Sequence, residues 1–185
     1  YIHYNKGSLV LYALKDYLGE DRLNAALARY VADVGLTGPP YATSSELLAY
    51  IREAVPEDQA WLIEDLFETI TLFDLRARQA TVERREDGKF VVRLTVDARK
   101  YRADGQGAET EVPLDAWIDV GIFGARGEGD PPEGKVLLLE KRRITGPEMV
   151  VEVVVDQQPV KAGIDPFNKL IDRNPEDNLT GVARG

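Results

Sequence analysis

The sequence predicts an α+β protein in two parts: about four helices, then an antiparallel immunoglobulin-like β-sandwich. Three observations predict it. The apolar pattern changes from helical spacing to alternation near residue 70. Turn-forming residues punctuate the second part at short intervals. The connections there carry no helical pattern, so neighbouring strands should pair antiparallel rather than through crossovers. A length of 185 residues fits one large domain or two small ones, against about 150 residues per domain.

The first part divides into helices by its apolar faces and its stops. Val10, Leu14, Tyr17 and Leu18 share one face, and Leu23, Leu27, Tyr30, Val31 and Val34 share the next. Gly19 and Gly35 follow these two segments, where a left-handed cap is expected. Thr43 and Glu46 have the spacing of a capping box that opens a third helix near 44–54. Pro56 suits the first turn of a fourth helix, with Leu62, Ile63, Leu66, Phe67 and Ile70 as its inner face.

The second part reads as about seven short strands over 71–165. Phe90, Val92, Leu94 and Val96 alternate with Val91, Arg93, Thr95 and Asp97. Ile118, Val120 and Ile122 alternate with Trp117, Asp119 and Phe123, and further aliphatic runs follow at 136–140 and 150–155. Asp87-Gly88 between Val82-Glu83 and Phe90 is a two-residue hairpin signal. Residues 166–185 are dense in Pro, Asn and Asp and read as an irregular C-terminal tail. Trp61 and Trp117 are expected to be core or interdomain anchors.

Composition narrows the chemistry. With 23 Lys and Arg against 32 Asp and Glu, the net charge is -9, which disfavours a nucleic-acid surface. The clusters Arg84-Arg85 and Lys141-Arg142-Arg143 are interspersed with acids and read as a solvated sheet face or interface. There is no cysteine and a single histidine, His3, so neither thiolate sites nor a two-histidine zinc site can come from this chain. No apolar run approaches the roughly 18 residues needed to cross a membrane, so no membrane insertion by this chain is expected. The glycines at 124–129 have the wrong spacing for a phosphate loop. Asp172, Asn174, Glu176, Asp177 and Asn178 are oxygen-rich, but they lack the central Gly and distal Glu of the twelve-residue calcium loop, and a turn reading is preferred. Residue 1 is Tyr and the only methionine is Met149, so a processed protein or a piece of a larger one is expected.

Tyr4-Asn5-Lys6-Gly7-Ser8, running into an apolar helix, resembles the Tyr-x-Lys-Gly segment of zinc aminopeptidases of the aminopeptidase N type, which are gluzincins. The strings from Asp65 to Asp74, Ala162 to Pro166 and Leu170 to Asn178 are similar to segments of a bacterial subgroup of that family. In that subgroup the peptidase region is joined to transporter-permease-like membrane segments. The resemblance covers nearly the whole chain. It implies that 1–70 is the helical end of a catalytic region and 71–165 a β-sandwich accessory domain. It also implies that the zinc ligands, the general base and the substrate amino-terminus site lie upstream, since none of those motifs occurs here. The fragment would then have no cofactor of its own and no activity alone, while its parent binds zinc, cleaves peptides and is membrane-associated. Its partners would be the upstream catalytic region and, for the parent, a peptide substrate. One catalytic residue carries over, Tyr4, whose phenol would donate to the oxyanion formed at the scissile carbonyl. Tyr1 stands outside the motif. Two other readings stay open: a non-catalytic β-sandwich binding module of a membrane-associated protein, and a structural spacer.

Overall fold

The computed structural model describes residues 5–185, which divide after Ile70 into two compact units. Tyr4 and His3 lie outside the described residues.

The first unit is helical. It comprises α1 (Gly7–Leu18), α2 (Glu20–Val34), α3 (Ser44–Ala54) and the single turn α4 (Trp61–Ile63). The fourth predicted helix is broken. A 3-10 turn (Glu57–Gln59) precedes α4 and a π turn (Glu64–Glu68) follows it. Pro56 stands just before the 3-10 turn, in extended conformation. Val10, Ala13, Leu14, Leu23, Ile51, Leu62, Ile63 and Leu66 form one buried cluster, to which α1–α4 and the π turn all contribute. Trp61 packs edge-on against Tyr17 at 5.4 Å. Val31 and Ile70, expected on inner faces, are exposed.

The ends of these helices follow local chemistry. Gly19 has φ +84° and separates α1 from α2. Gly35 is not left-handed; its φ is -65° and Leu36 takes the positive φ of 61°. A Cβ at Gly35 would come within 2.2 Å of the Val31 carbonyl oxygen, so close approach rather than conformation demands glycine there. Thr43 accepts from the Glu46 N–H at 3.3 Å, and Glu46 accepts from the Thr43 N–H at 2.6 Å, completing the capping box. Thr43→Ala removes one acceptor for the first turn. It should lower stability by about 1 kcal/mol in chemical denaturation, and an unchanged midpoint would refute the cap's contribution.

The second unit is a mostly antiparallel sheet of eight strands, curled like a half-barrel. They are β1 (Ile70–Arg84), β2 (Phe90–Ala103), β3 (Glu109–Val112), β4 (Ala116–Gly124), β5 (Lys135–Ile144), β6 (Glu148–Val155), β7 (Lys161–Ile164) and β8 (Leu179–Arg184). The order is β3-β2-β1-β8-β7-β4-β5, with β6 also on β2. β6 pairs with 90–97 of β2 and β3 with 100–103, so the two share one edge of that long strand. The β1–β2 hairpin turns through Arg85–Gly88, with the Arg85 N–H on the Lys89 carbonyl and Gly88 at φ +85°, so a three-residue loop closed by a left-handed glycine stands in place of the expected two-residue one.

The C-terminal tail departs from the sequence expectation. The tail is not wholly irregular, because Leu179–Arg184 forms β8 between β1 and β7. Its pairing with β1 is parallel, whereas β2 with β3 and β6, β4 with β5 and β7, and β7 with β8 pair antiparallel. Residues 179–184 have little apolar pattern of their own. They become a strand because β1 and β7 both offer edge hydrogen-bonding groups that burial would otherwise leave unpaired. The burial phase of β1 also slips at Arg78 and Gln79, from odd positions before them to Ala80 and Val82 after, as an inserted bulge residue would cause.

Candidate functional site

The segment singled out by sequence leads into α1. Of Tyr4-x-Lys6-Gly7, the described part begins at Asn5. Lys6 is already helical at φ -65° and ψ -43°, and the Ser8 hydroxyl donates to the Asn5 carbonyl at 3.0 Å. Val10, Ala13 and Leu14 anchor the inner face of α1, while Leu11 and Tyr12 are exposed on its other side. The backbone following Tyr4 is thus a helix with a defined buried face.

The strongest polar cluster lies in the β unit, around Asp119 of β4. Its carboxylate accepts from the Lys141 ammonium at 2.9 Å and from the Lys169 ammonium at 2.5 Å. Lys141 is the cross-strand partner of Asp119 in the β4–β5 register. Lys169 arrives from the segment after β7. There Asp165 takes a positive φ of 41° and donates its N–H to the Asp119 carbonyl at 2.7 Å. The Asp165 carboxyl accepts from the N–H groups of Lys169 at 3.0 Å and Leu170 at 2.9 Å. Pro166 then lies over Gly121, where a Cβ would come within 2.9 Å of the proline ring, and Phe167 packs edge-on to Phe123 at 6.0 Å.

This arrangement explains why β4 is buried on both faces. Ile118, Val120 and Ile122 fill one side, and the 165–170 segment covers Asp119, Gly121 and Phe123 on the other. Trp117 remains half exposed and is not a core anchor. Asp119, Asp165 and Lys169 are buried and satisfied by one another, so the cluster acts as a clamp holding the 165–170 segment to the sheet. It was invisible in the sequence, since Asp119 and Lys169 are separated by 50 residues.

Burial pushes the Asp165 carboxyl up to about 6, against the pull of the Leu170 and Lys169 N–H groups; Asp119 adds to the rise and Lys169 opposes it. Folding therefore favours the protonated form. That contribution is complete below the unfolded value of about 3.9 and is lost as pH rises through the folded value. Relative to Asp165→Asn, the wild type should lose about 3 kcal/mol of unfolding free energy between about pH 4 and 7. A pH-independent difference between the two proteins would contradict this.

The basic clusters are accounted for by neighbours. Arg85 pairs with Asp87, Arg142 with Glu140 and Arg143 with Asp115, and the Arg84 guanidinium lies over the Phe90 ring. A groove of about 590 Å³ lies between α2 and α3, lined by Arg22, Ala26, Arg29, Glu53, Val55 and Pro56. Its Arg29 and Glu53 are paired with each other at 2.8 Å. Among the described residues no group of three or more His, Cys, Asp or Glu side chains is arranged to hold a metal ion, and no helix is long and apolar enough to cross a membrane. No protein-family model matches the chain, and no curated protein matches it.

Proposed function

We propose that this chain is the C-terminal part of a zinc-aminopeptidase-like protein of the aminopeptidase N type, with Tyr4 as the oxyanion donor and the β unit as its support domain. The observation that carries the reading is the Tyr4-x-Lys6-Gly7 string running directly into α1, a helix anchored by Val10, Ala13 and Leu14. A catalytic donor must be held to a fraction of an ångström, and an anchored helix three residues further along the chain gives the motif a fixed frame. A phenol with a reference pKa of about 10 stays protonated at neutral pH and can donate to an oxyanion that gains its charge only on reaction.

The chain's own residues do not fit a zinc site, having one histidine and no cysteine. In this reading the metal and its water-activating chemistry belong to the upstream region, and this chain contributes the donor and the scaffold. The immunoglobulin-like form of the support domain is part of the same proposal. It is favoured by the buried alternation of Val92, Leu94 and Val96 on β2 and of Ile118, Val120 and Ile122 on β4. Membrane association of the parent, in the manner of the transporter-linked subgroup, likewise belongs to the proposal.

The test is hydrolysis of an amino-acid anilide by the protein carrying its upstream region, with and without Tyr4→Phe. A second reading, a non-catalytic binding module, is favoured by the exposed Trp117, Val150 and Val154 on the β unit. It prevails if that protein shows no hydrolysis of the anilide with or without Tyr4.

A further inference from the structure

The loop joining Leu170 to β8 holds buried side-chain oxygen atoms that lack a hydrogen-bond partner. Its two ends are fixed. Phe73 of β1 donates to the Ile171 carbonyl at 2.8 Å and accepts from the Arg173 N–H at 3.0 Å. At the far end, the Asn178 carbonyl accepts from the Ile164 N–H of β7 at 3.0 Å. That approach is so close that a Cβ on Gly163 would lie 2.2 Å from the Asn178 oxygen. Between these ends a 3-10 turn, Pro175–Asp177, folds the chain back on itself.

The side chains brought together are Asp172, Asp177 and Asn178. Asp172 Oδ1 accepts from the N–H groups of Leu75 at 3.5 Å and Asn174 at 3.2 Å, but its buried Oδ2 has no partner. Asp177 Oδ2 lies 3.4 Å from Arg76 Nε, while its buried Oδ1 has none. Asn178 is 1% exposed, and neither atom of its amide meets a hydrogen-bond partner. The Asn178 side chain nevertheless lies close enough to Asp172 to favour its charged form, and Asp177 lies close enough to oppose it. Unsatisfied buried polar atoms normally mark a missing water or ion. Here two carboxylates and a fully buried amide share one small region; the one guanidinium beside Asp177, that of Arg76, is shared with Asp74, so net negative charge remains that a neutral water does not offset.

We propose that Asp172, Asp177 and Asn178 form a site for a hard divalent cation of the calcium class. Oxygen-only donors select a hard ion over zinc or copper. A partly buried, irregular donor set suits calcium better than magnesium, which demands near-ideal octahedral geometry and dehydrates reluctantly. Three side-chain oxygens leave the remaining positions to backbone carbonyls and water, so affinity falls in the weak range of about 10⁻⁴–10⁻³ M. The site would tie the loop to the starts of β1 and β8, which makes it a stabilising site.

The experiment is thermal unfolding of the chain after treatment with a chelator, with calcium chloride added back, alongside calorimetric titration. At about 10 mM calcium, Tm should rise by about 3–8 °C, with a single binding event in the titration. Asp177→Asn, at a half-buried position, should keep its calcium-free Tm near wild type and lose most of the rise. Asn178→Asp keeps a donor oxygen and should retain the rise. The proposal is overturned if calcium leaves Tm unchanged, if Asp177→Asn shows the wild-type rise, or if magnesium at the same concentration produces an equal rise.

Discussion

Asp119→Ala should destabilise the β unit by about 3–5 kcal/mol, a large share of the 5–15 kcal/mol typical of a folded domain. The mutation removes the carboxylate that lies 2.5 Å from the Lys169 ammonium and 2.9 Å from that of Lys141. The Lys169 side chain is only 6% exposed, so without Asp119 its charge is held in the interior lacking that counter-ion. The attraction within a buried ion pair barely exceeds the desolvation of its members, but removing one member leaves the full desolvation of the other. Urea denaturation should therefore show a lower midpoint with a similar slope. The double variant Asp119→Leu with Lys169→Met removes both charges and should recover much of the loss. A double variant no more stable than Asp119→Ala would show that packing, not the loss of this counter-ion, dominates.

Tyr4→Phe should reduce kcat by about 10²–10³ in the protein carrying its upstream region, with KM little changed. Phenylalanine keeps the ring and removes only the hydroxyl, so helix α1 and the Tyr17–Trp61 contact should be unaffected. Zinc content and Tm should match wild type, which separates a lost donor from a damaged fold. An interaction made only in the transition state lowers kcat and kcat/KM together, whereas loss of ordinary substrate binding raises KM. Turnover within a few-fold of wild type would remove Tyr4 from the chemistry.

The helices were legible because their signals are local. The Thr43–Glu46 box spans one turn, and it forms as the spacing predicts. Gly19 likewise stands at positive φ between α1 and α2. Gly35 was legible as a stop but for another reason, since its need arises from the Val31 carbonyl rather than from its own φ. The fourth helix was legible as an apolar face, yet 57–68 breaks into 3-10, α and π turns. Leu62, Ile63 and Leu66 satisfy the core in any of these geometries, so periodicity could not distinguish them.

For the candidate sites the division is sharper. Tyr4 rests on a motif and its neighbours in sequence. The Asp119 clamp and the Asp172–Asn178 loop rest on contacts between residues far apart in the chain. Asp172 and Asn178 read as turn formers in the string, and their unsatisfied atoms become visible only once Phe73 and Gly163 fix the loop's two ends.

By itself the sequence determined the order of helices before strands, the capping of α3, the position though not the length of the β1–β2 turn, and the exclusion of cysteine and two-histidine metal chemistry from this chain. Each depends on residue identity or on spacing within a few positions. Only the tertiary structure decided that 179–184 is a strand parallel to β1, that β4 is covered on both faces, and that Asp119 meets Lys169. The physical reason is the same in all three. Backbone groups and charges become obligate partners only when folding removes water from around them, and which partners remain depends on the edges and faces that distant segments bring together.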